Sequence, residues 1–257
     1  MKSLRKWIPN RLNSEEGKIR LFCFPWAGGG ANFYLTYFKL INPNIEVCPI
    51  QLPGRENLYH LPFYKDIDTL CQDLLYDLQE FMFEKQFAFF GHSMGGVISY
   101  KLVQHLKKNG LHTPEHVFIS ASAPPSQSSI DREESLEDLL IANDTDQEIM
   151  ENSELLEIYL PILKADLALL MSISDVKLPS IVDSVPFTVM GGKSDKLLPY
   201  QSLESWGTRV NFKRNIILYD GGHMYIKHNQ SRVIEDIEMM LMPTINSKGG
   251  HSPVCSI

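Results

Sequence analysis

Ser93 sits in Gly91-His92-Ser93-Met94-Gly95, a G-x-S-x-G pattern. A serine hydroxyl attacks a carbonyl only if a base removes its proton and donors hold the oxyanion that forms. The pattern alone arises often by chance, so its surroundings decide. The apolar run Phe87–Phe90 precedes it and the amphipathic stretch Val97–Leu106 follows. That is the strand–turn–helix placement of a nucleophile elbow. In so tight a bend, Cβ atoms at Gly91 and Gly95 would collide with neighbouring backbone. The helix N-terminus behind the serine favours a developing anion.

Of the eight histidines, His223 is the best base. It follows the run Ile216–Tyr219 and the flexible Asp220-Gly221-Gly222. This places it at the carboxyl end of a strand, where catalytic groups of parallel sheets collect. His92 is expected to turn its ring away from the site. His105 belongs to the following helix, His60, His112 and His116 to loops, His228 to the approach of the last helix and His251 to the tail. An acid must orient the base and stabilise its imidazolium. Asp195, in Gly191-Gly192-Lys193-Ser194-Asp195 after the run Phe187–Met190, fits that role, with Asp220 as the alternative. The order Ser93, Asp195, His223 is that of the α/β-hydrolases. The oxyanion donors are expected to be the backbone N–H of Met94 and that of Ala27, or its neighbour Trp26, in the loop Phe24-Pro25-Trp26-Ala27-Gly28-Gly29-Gly30. A phosphate-cradling loop is the rival reading. It would need a Walker lysine or a G-x-G-x-x-G spacing, and neither is here.

These groups need a sheet to hold them. Short apolar runs recur at Leu21–Phe24, Ile45–Ile50, Phe87–Phe90, Val117–Ser120, Phe187–Met190 and Ile216–Tyr219. They are nearly continuous rather than alternating, as strands covered on both faces are. Helical patterns at Asp66–Phe81 and Val97–Leu106 lie between them. The alternation predicts an α/β fold with a mostly parallel sheet and helices on both faces. From 124 to 175 the rhythm breaks into a helical insertion, read as a lid, in which Pro161 starts or kinks a helix. Eleven acids against one base fall between Asp131 and Glu157. The hydrolase-like domain is expected to span 1–242, with 243–257 a disordered tail.

A chain of 257 residues suits one domain, and 44% hydrophobic with 21% charged residues excludes wholesale disorder. The net charge of −7 argues against nucleic acid as a partner. No apolar run is long enough to span a membrane, and the N-terminus lacks a secretory h-region. Cys23, Cys48, Cys71 and Cys255 show no CxxC spacing and read as free thiols of a cytoplasmic protein. No His/Cys spacing suggests a metal site.

Taken together, Phe24-Pro25-Trp26-Ala27-Gly28-Gly29, Leu52-Pro53-Gly54-Arg55-Glu56, Gly91-His92-Ser93-Met94-Gly95-Gly96, Gly192-Lys193-Ser194-Asp195 and Gly221-Gly222-His223 resemble the type II thioesterases of nonribosomal peptide and polyketide synthases. The animal medium-chain fatty-acyl thioesterase II is similar as well. The resemblance covers about 18 to 241 and implies an α/β-hydrolase fold with a helical lid. It also implies a substrate: an acyl group held as a thioester on the phosphopantetheine arm of an acyl or peptidyl carrier protein, hydrolysed through an acyl-enzyme without metal or redox cofactor. The enzyme would meet its carrier transiently and work as a monomer. An acidic lid would repel an acidic carrier. Docking is therefore expected beside it, near Arg55, Lys193, Lys196 or Arg214, with Trp26 and Arg55 as candidate substrate or carrier contacts and Arg55 alternatively an internal salt bridge that fixes its own loop. A fatty-acyl thioesterase, a carboxylesterase or lipase, an acyltransferase and a non-catalytic binding module of the same fold are the competing readings.

Overall fold

The computed structural model describes residues 2–125, 150–173, 185–208, 210 and 216–247. Six parallel strands form one sheet: β1 (Ile19–Phe24), β2 (Ile45–Pro49), β3 (Gln86–His92), β4 (His116–Ser120), β5 (Phe187–Gly192) and β6 (Ile216–Tyr219), in the order β2-β1-β3-β4-β5-β6. The helices are α1 (Lys2–Trp7), α2 (Asn32–Tyr37), α3 (Ile67–Phe83), α4 (Met94–Lys108), α5 (Ser153–Met171), α6 (Tyr200–Glu204) and α7 (Gln230–Asn246). Among the described residues, no helix is long and apolar enough to cross a membrane.

The continuous apolar runs are explained by which face each residue takes. Phe22, Phe24, Phe87, Phe89, Val117, Ile119, Phe187 and Val189 pack with Leu70 and Leu74 of α3, Ile98 and Leu102 of α4, and Leu163 and Leu169 of α5. Their sequence neighbours Leu21, Cys23, Ala88, Phe90, Phe118 and Met190 point the other way, into Tyr34 of α2 and Val233, Ile237 and Leu241 of α7. Successive side chains still alternate, as a pleated strand demands. Both sides are apolar because both are covered. At the amino ends of the strands, buried Glu46 on β2 gathers Arg11, Arg20 of β1 and Lys85.

The strand order reverses direction between β1 and β3. The chain leaves β1 toward β2 on one side and returns to β3 on the other, so their carboxyl-end loops diverge and open a crevice. In open parallel sheets that is where ligands bind.

The expected helix at 66 begins one residue later. Asp66 is its N-cap, its side chain accepting a 2.7 Å hydrogen bond from the Thr69 N–H. Residues 126–149 of the insertion lie outside the described residues. The rest of it up to 171 is mostly α5, capped by Asn152, with Pro161 inside the helix rather than at its start.

Two expectations are corrected. The supposed tail from 243 begins as helix: α7 runs through Pro243 to Asn246. Val233, Ile237, Leu241 and Ile245 recur every four residues and are buried, and this apolar stripe outweighs one proline. The remainder, 248–257, lies outside the described residues. His116 is the first residue of β4, not a loop residue. Its Nε2 hydrogen-bonds Thr188 Oγ1 at 2.8 Å and its ring stacks on Phe118.

Burial pushes the His116 pKa down to about 4. Above the ordinary histidine range the ring is neutral in both folded and unfolded chain, and pH has no effect through it. As pH falls from about 6.5 to about 4, the unfolded chain takes the proton first, and the fold loses about 3 kcal/mol. Urea unfolding at pH 7 and pH 4.5 should therefore show a smaller loss for His116→Gln, which can keep a bond to Thr188, than for the unaltered chain. Equal losses would assign the acid sensitivity elsewhere.

Candidate active site

Ser93 follows β3 and caps α4 with φ 52° and ψ −116°. A non-glycine residue there is strained by about 1–3 kcal/mol. The surrounding backbone leaves no alternative. A Cβ at Gly91 would lie 2.1 Å from the Gly95 carbonyl oxygen, and one at Gly95 would lie 2.1 Å from that of Phe24. Ser93 itself is pinned by its N–H, which donates to the Ser120 carbonyl at 2.8 Å, while its own carbonyl accepts from Gly96 at 2.9 Å. Met94, the next residue, opens α4, so its N–H belongs to the unpaired first turn. Because Gly95 abuts Phe24, the first turn of α4 lies beside the end of β1 and the loop that follows it.

Asp195 and His223 meet. His223 Nδ1 is 2.8 Å from Asp195 Oδ2. The second carboxylate oxygen accepts from the N–H groups of Leu197 and Leu198, both at 3.0 Å. The acid is therefore held by its own loop and aimed at the base. The two loops are locked to each other: Ser194 N–H donates to Gly221 carbonyl at 2.9 Å, and a Cβ at Gly192 would strike the Gly222 carbonyl at 2.2 Å. With Nδ1 on the acid, His223 presents Nε2 for proton transfer. Asp220, the alternative acid, points outward. It is exposed and takes a 2.7 Å ion pair from Lys193, which holds its carboxyl below the usual range.

The ring of His92 does not turn away. It lies 5.5 Å from the His223 ring and 6.1 Å from that of Trp26, beneath the base. Its Nδ1 bonds Ser120 Oγ at 2.7 Å, and Ser120 Oγ meets the Tyr225 hydroxyl at 2.6 Å. Burial first, and then the neighbouring His223, lower its pKa well below the usual range. It is a neutral floor, and it adds no charge that would oppose an imidazolium at His223. Ser120 thus joins the elbow backbone, His92 and the base loop. Nothing in its neighbourhood of apolar strand residues marked it out.

Arg55 is corrected from a surface docking residue to a buried one. It is 4% exposed, and its guanidinium grips Asp166 of α5 through Nη1 and Nη2, each at 2.6 Å. Nη1 also donates to the Gly29 carbonyl at 3.0 Å. Of the two readings given for Arg55, the internal salt bridge is the one observed. Asp166 is a site residue absent from the sequence-based expectations, although the sequence carries a signal for it. Tyr159, Leu163, Asp166 and Leu170 follow helical spacing, and a carboxylate on the apolar face of a helix must be paired. Trp26 is likewise buried, against Phe33, Tyr34 and His92, so it supports the loop from below. Lys193 and Lys196 are exposed beside the acid loop. Arg214 lies outside the described residues. Cys23, Cys48 and Cys71 are buried free thiols whose pKa values burial raises. Among the described residues, no three His, Cys, Asp or Glu side chains are grouped so as to hold a metal ion.

The arrangement is suited to acyl transfer, and comparison with known proteins narrows the class. The family model described as thioesterase domain matches residues 19–241. The gramicidin S biosynthesis protein GrsT of Aneurinibacillus migulanus is 30% identical over 94% of this chain and 98% of its own length. The human medium-chain S-acyl fatty acid synthase thioesterase is 30% identical over 82% of each chain. Among solved structures, the RedJ thioesterase of the prodiginine pathway in Streptomyces coelicolor superposes with a TM-score of 0.78 at 24% identity, over 88% of this chain and 91% of that one. The α/β-hydrolase fold is shared, and the chain belongs to the thioesterase domain family and is a thioester hydrolase.

Proposed function

We propose that this enzyme is an editing, type II thioesterase that removes acyl groups from the phosphopantetheine arm of acyl or peptidyl carrier proteins. The observation that carries its chemistry is the 2.8 Å Asp195–His223 pair, set against the strand end that delivers Ser93. In this reading Ser93 Oγ attacks the thioester carbonyl while His223 Nε2 takes its proton. The N–H groups of Met94 and Ala27 hold the oxyanion. The imidazolium protonates the departing sulfur, and a water activated by His223 then releases the acid from Ser93. Thioester hydrolysis by this route draws on no metal or redox cofactor.

The relatives support the carrier-bound substrate. Gramicidin S biosynthesis and fatty acid synthesis are named for proteins 30% identical to this one. The similarity to the human protein equally favours medium-chain fatty-acyl release, so the substrate panel must contain both. Purified enzyme should cleave aminoacyl or short acyl groups from a carrier protein faster than long fatty-acyl carriers or p-nitrophenyl esters. A preference for medium-chain fatty acyl groups would move the assignment to fatty-acid release, and a preference for oxygen esters would move it to the esterases. Ser93→Ala should abolish turnover. Asp195→Asn should lower kcat by about 10⁴-fold, the size of loss when the acid of such a triad becomes an amide. Asp220→Asn should leave kcat unchanged. The opposite pattern for the two aspartates would reassign the acid.

The exposure of Lys193 and Lys196 supports carrier docking beside the acid loop. The α5 surface, with Glu154 and Glu157 facing water, repels an acidic partner. Lys193→Glu/Lys196→Glu should slow carrier-bound substrates about tenfold at low salt and spare small acyl thioesters. Equal loss on both would remove this surface from consideration.

A further inference from the structure

The loop expected to supply the second oxyanion donor is shaped from outside. Trp26 carbonyl accepts the Gly29 N–H at 2.9 Å, closing a turn with Gly28 at φ +83°. A positive φ at that turn position is open to glycine and strained for other residues. The peptide between Trp26 and Ala27 is trans, so its N–H points opposite its carbonyl. Drawing the Trp26 carbonyl into the turn therefore swings the Ala27 N–H outward. Glycines do not fix a turn by themselves, since they lower the cost of many conformations alike. What holds this one is the buried ion pair. Gly28 N–H donates to Asp166 Oδ2 at 2.7 Å, and Arg55 Nη1 donates to the Gly29 carbonyl at 3.0 Å. One side chain of α5 and one from the Leu52–Glu56 segment thus hold the Ala27–Gly28 and Gly29–Gly30 peptides, on either side of the peptide that closes the turn. Tyr159 of α5 closes over it as well: a Cβ at Gly28 would sit 2.5 Å from the Tyr159 hydroxyl oxygen.

We infer that Arg55 and Asp166 are positioning residues that make the oxyanion hole conditional on the seating of α5. The inference rests on the triad and oxyanion reading above. With α5 in place, the carboxylate takes its Gly28 bond and the turn presents the Ala27 N–H. With α5 displaced, Asp166 leaves with it, and the turn loses the acceptor that orders it. A buried Arg–Asp pair contributes little net stability, because desolvation offsets the attraction. Here it fixes a backbone conformation, and that is what the test must separate from mere scaffolding.

The test uses the full chain with the double substitution Arg55→Met/Asp166→Leu, which removes both charges together and leaves no orphaned ion. Three quantities are measured: the melting temperature, the rate of Ser93 acylation by a small acyl thioester, and affinities for two ligands. One ligand is a trifluoromethyl ketone thioether, which forms an oxyanion adduct on Ser93; the other is an unreactive thioether of the same length. The variant should melt cooperatively, lowered only by the Gly28 and Gly29 backbone groups that lose these partners, and its affinity for the unreactive thioether should match that of the unaltered enzyme. Acylation and adduct affinity should both fall by about 10²-fold, as when one oxyanion donor is lost. A folded double variant that acylates at the original rate overturns the inference, and so does a parallel loss of affinity for the unreactive thioether. Should the double variant not fold, Arg55→Lys decides. Lysine keeps the charge but not the fork, so kcat should fall with KM unchanged, and an unchanged kcat overturns the inference. If the unaltered enzyme itself neither hydrolyses thioesters nor forms the ketone adduct, the triad reading fails and takes the clamp with it. If it does both and the variants equal it, only the clamp fails.

Discussion

Between the last carbonyl of β1 and the first turn of α4 there is space for a hydrogen atom and nothing larger. A methyl group on Gly95 would meet the Phe24 oxygen at 2.1 Å. This approach has to be close because β1 and β3 are adjacent in the sheet and stay paired to their carboxyl ends, with Phe24 opposite Gly91. It brings the loop after β1 against the start of α4, so the donors from two distant segments can face one point. It also forces Ser93 into its strained bend, since the chain must turn from strand to helix within one residue. The strain persists because everything around it is over-determined: the Ser93 N–H is tied to β4, and both faces of β3 are buried.

The same crowding recurs where acid and base meet. Gly192 and Gly222 lie against each other without side chains, and this proximity lets the Asp195 loop and the His223 loop exchange backbone hydrogen bonds. Once those loops are locked, the carboxylate needs no freedom of its own, and two N–H groups hold its far oxygen. The floor below is built to stay neutral. His92 is buried and depressed in pKa, and Tyr225 is held protonated by burial. A charge there would oppose or trap the proton that the proposed mechanism routes through His223. Desolvation, usually a cost, here keeps both of these groups uncharged.

Much of this was legible because it repeats along the chain. The six strands were visible as apolar runs, since both faces of a covered parallel sheet read the same. Ser93, Asp195 and His223 were visible because each follows such a run within a few residues, and glycines mark the tight loops between. The rest depends on contacts that sequence spacing does not encode. Ser120 closes an apolar strand and has no local mark, yet it joins three parts of the site. Arg55 is a charged residue in a loop, where exposure is the ordinary expectation, and only the distant Asp166 makes its burial possible. The start of the tail errs in the opposite direction: the Gly-, Ser- and Pro-rich composition from 243 onward hides the four-residue spacing of Val233, Ile237, Leu241 and Ile245, which tertiary packing enforces. His116 opens a strand although a histidine at the edge of an apolar run carries no β signal of its own; Thr188 on the neighbouring strand supplies its partner.

Two buried ion clusters sit at opposite ends of the sheet, and their construction differs. Glu46, at the amino ends, is surrounded by Arg11, Arg20 and Lys85, and Arg20 has a further partner in Glu84. Loss of one cation leaves the carboxylate still paired, so the cluster tolerates damage and serves to hold strands, N-terminal segment and the α3–β3 connection together. Asp166, at the carboxyl ends, takes both of its side-chain hydrogen bonds from the one guanidinium of Arg55, and its remaining bond goes to backbone. Loss of the one guanidinium therefore removes both of these side-chain bonds at once. Redundancy suits an end of the molecule whose task is to stay assembled. A single, bidentate, all-or-none contact suits an end where the geometry of one turn must follow the position of one helix.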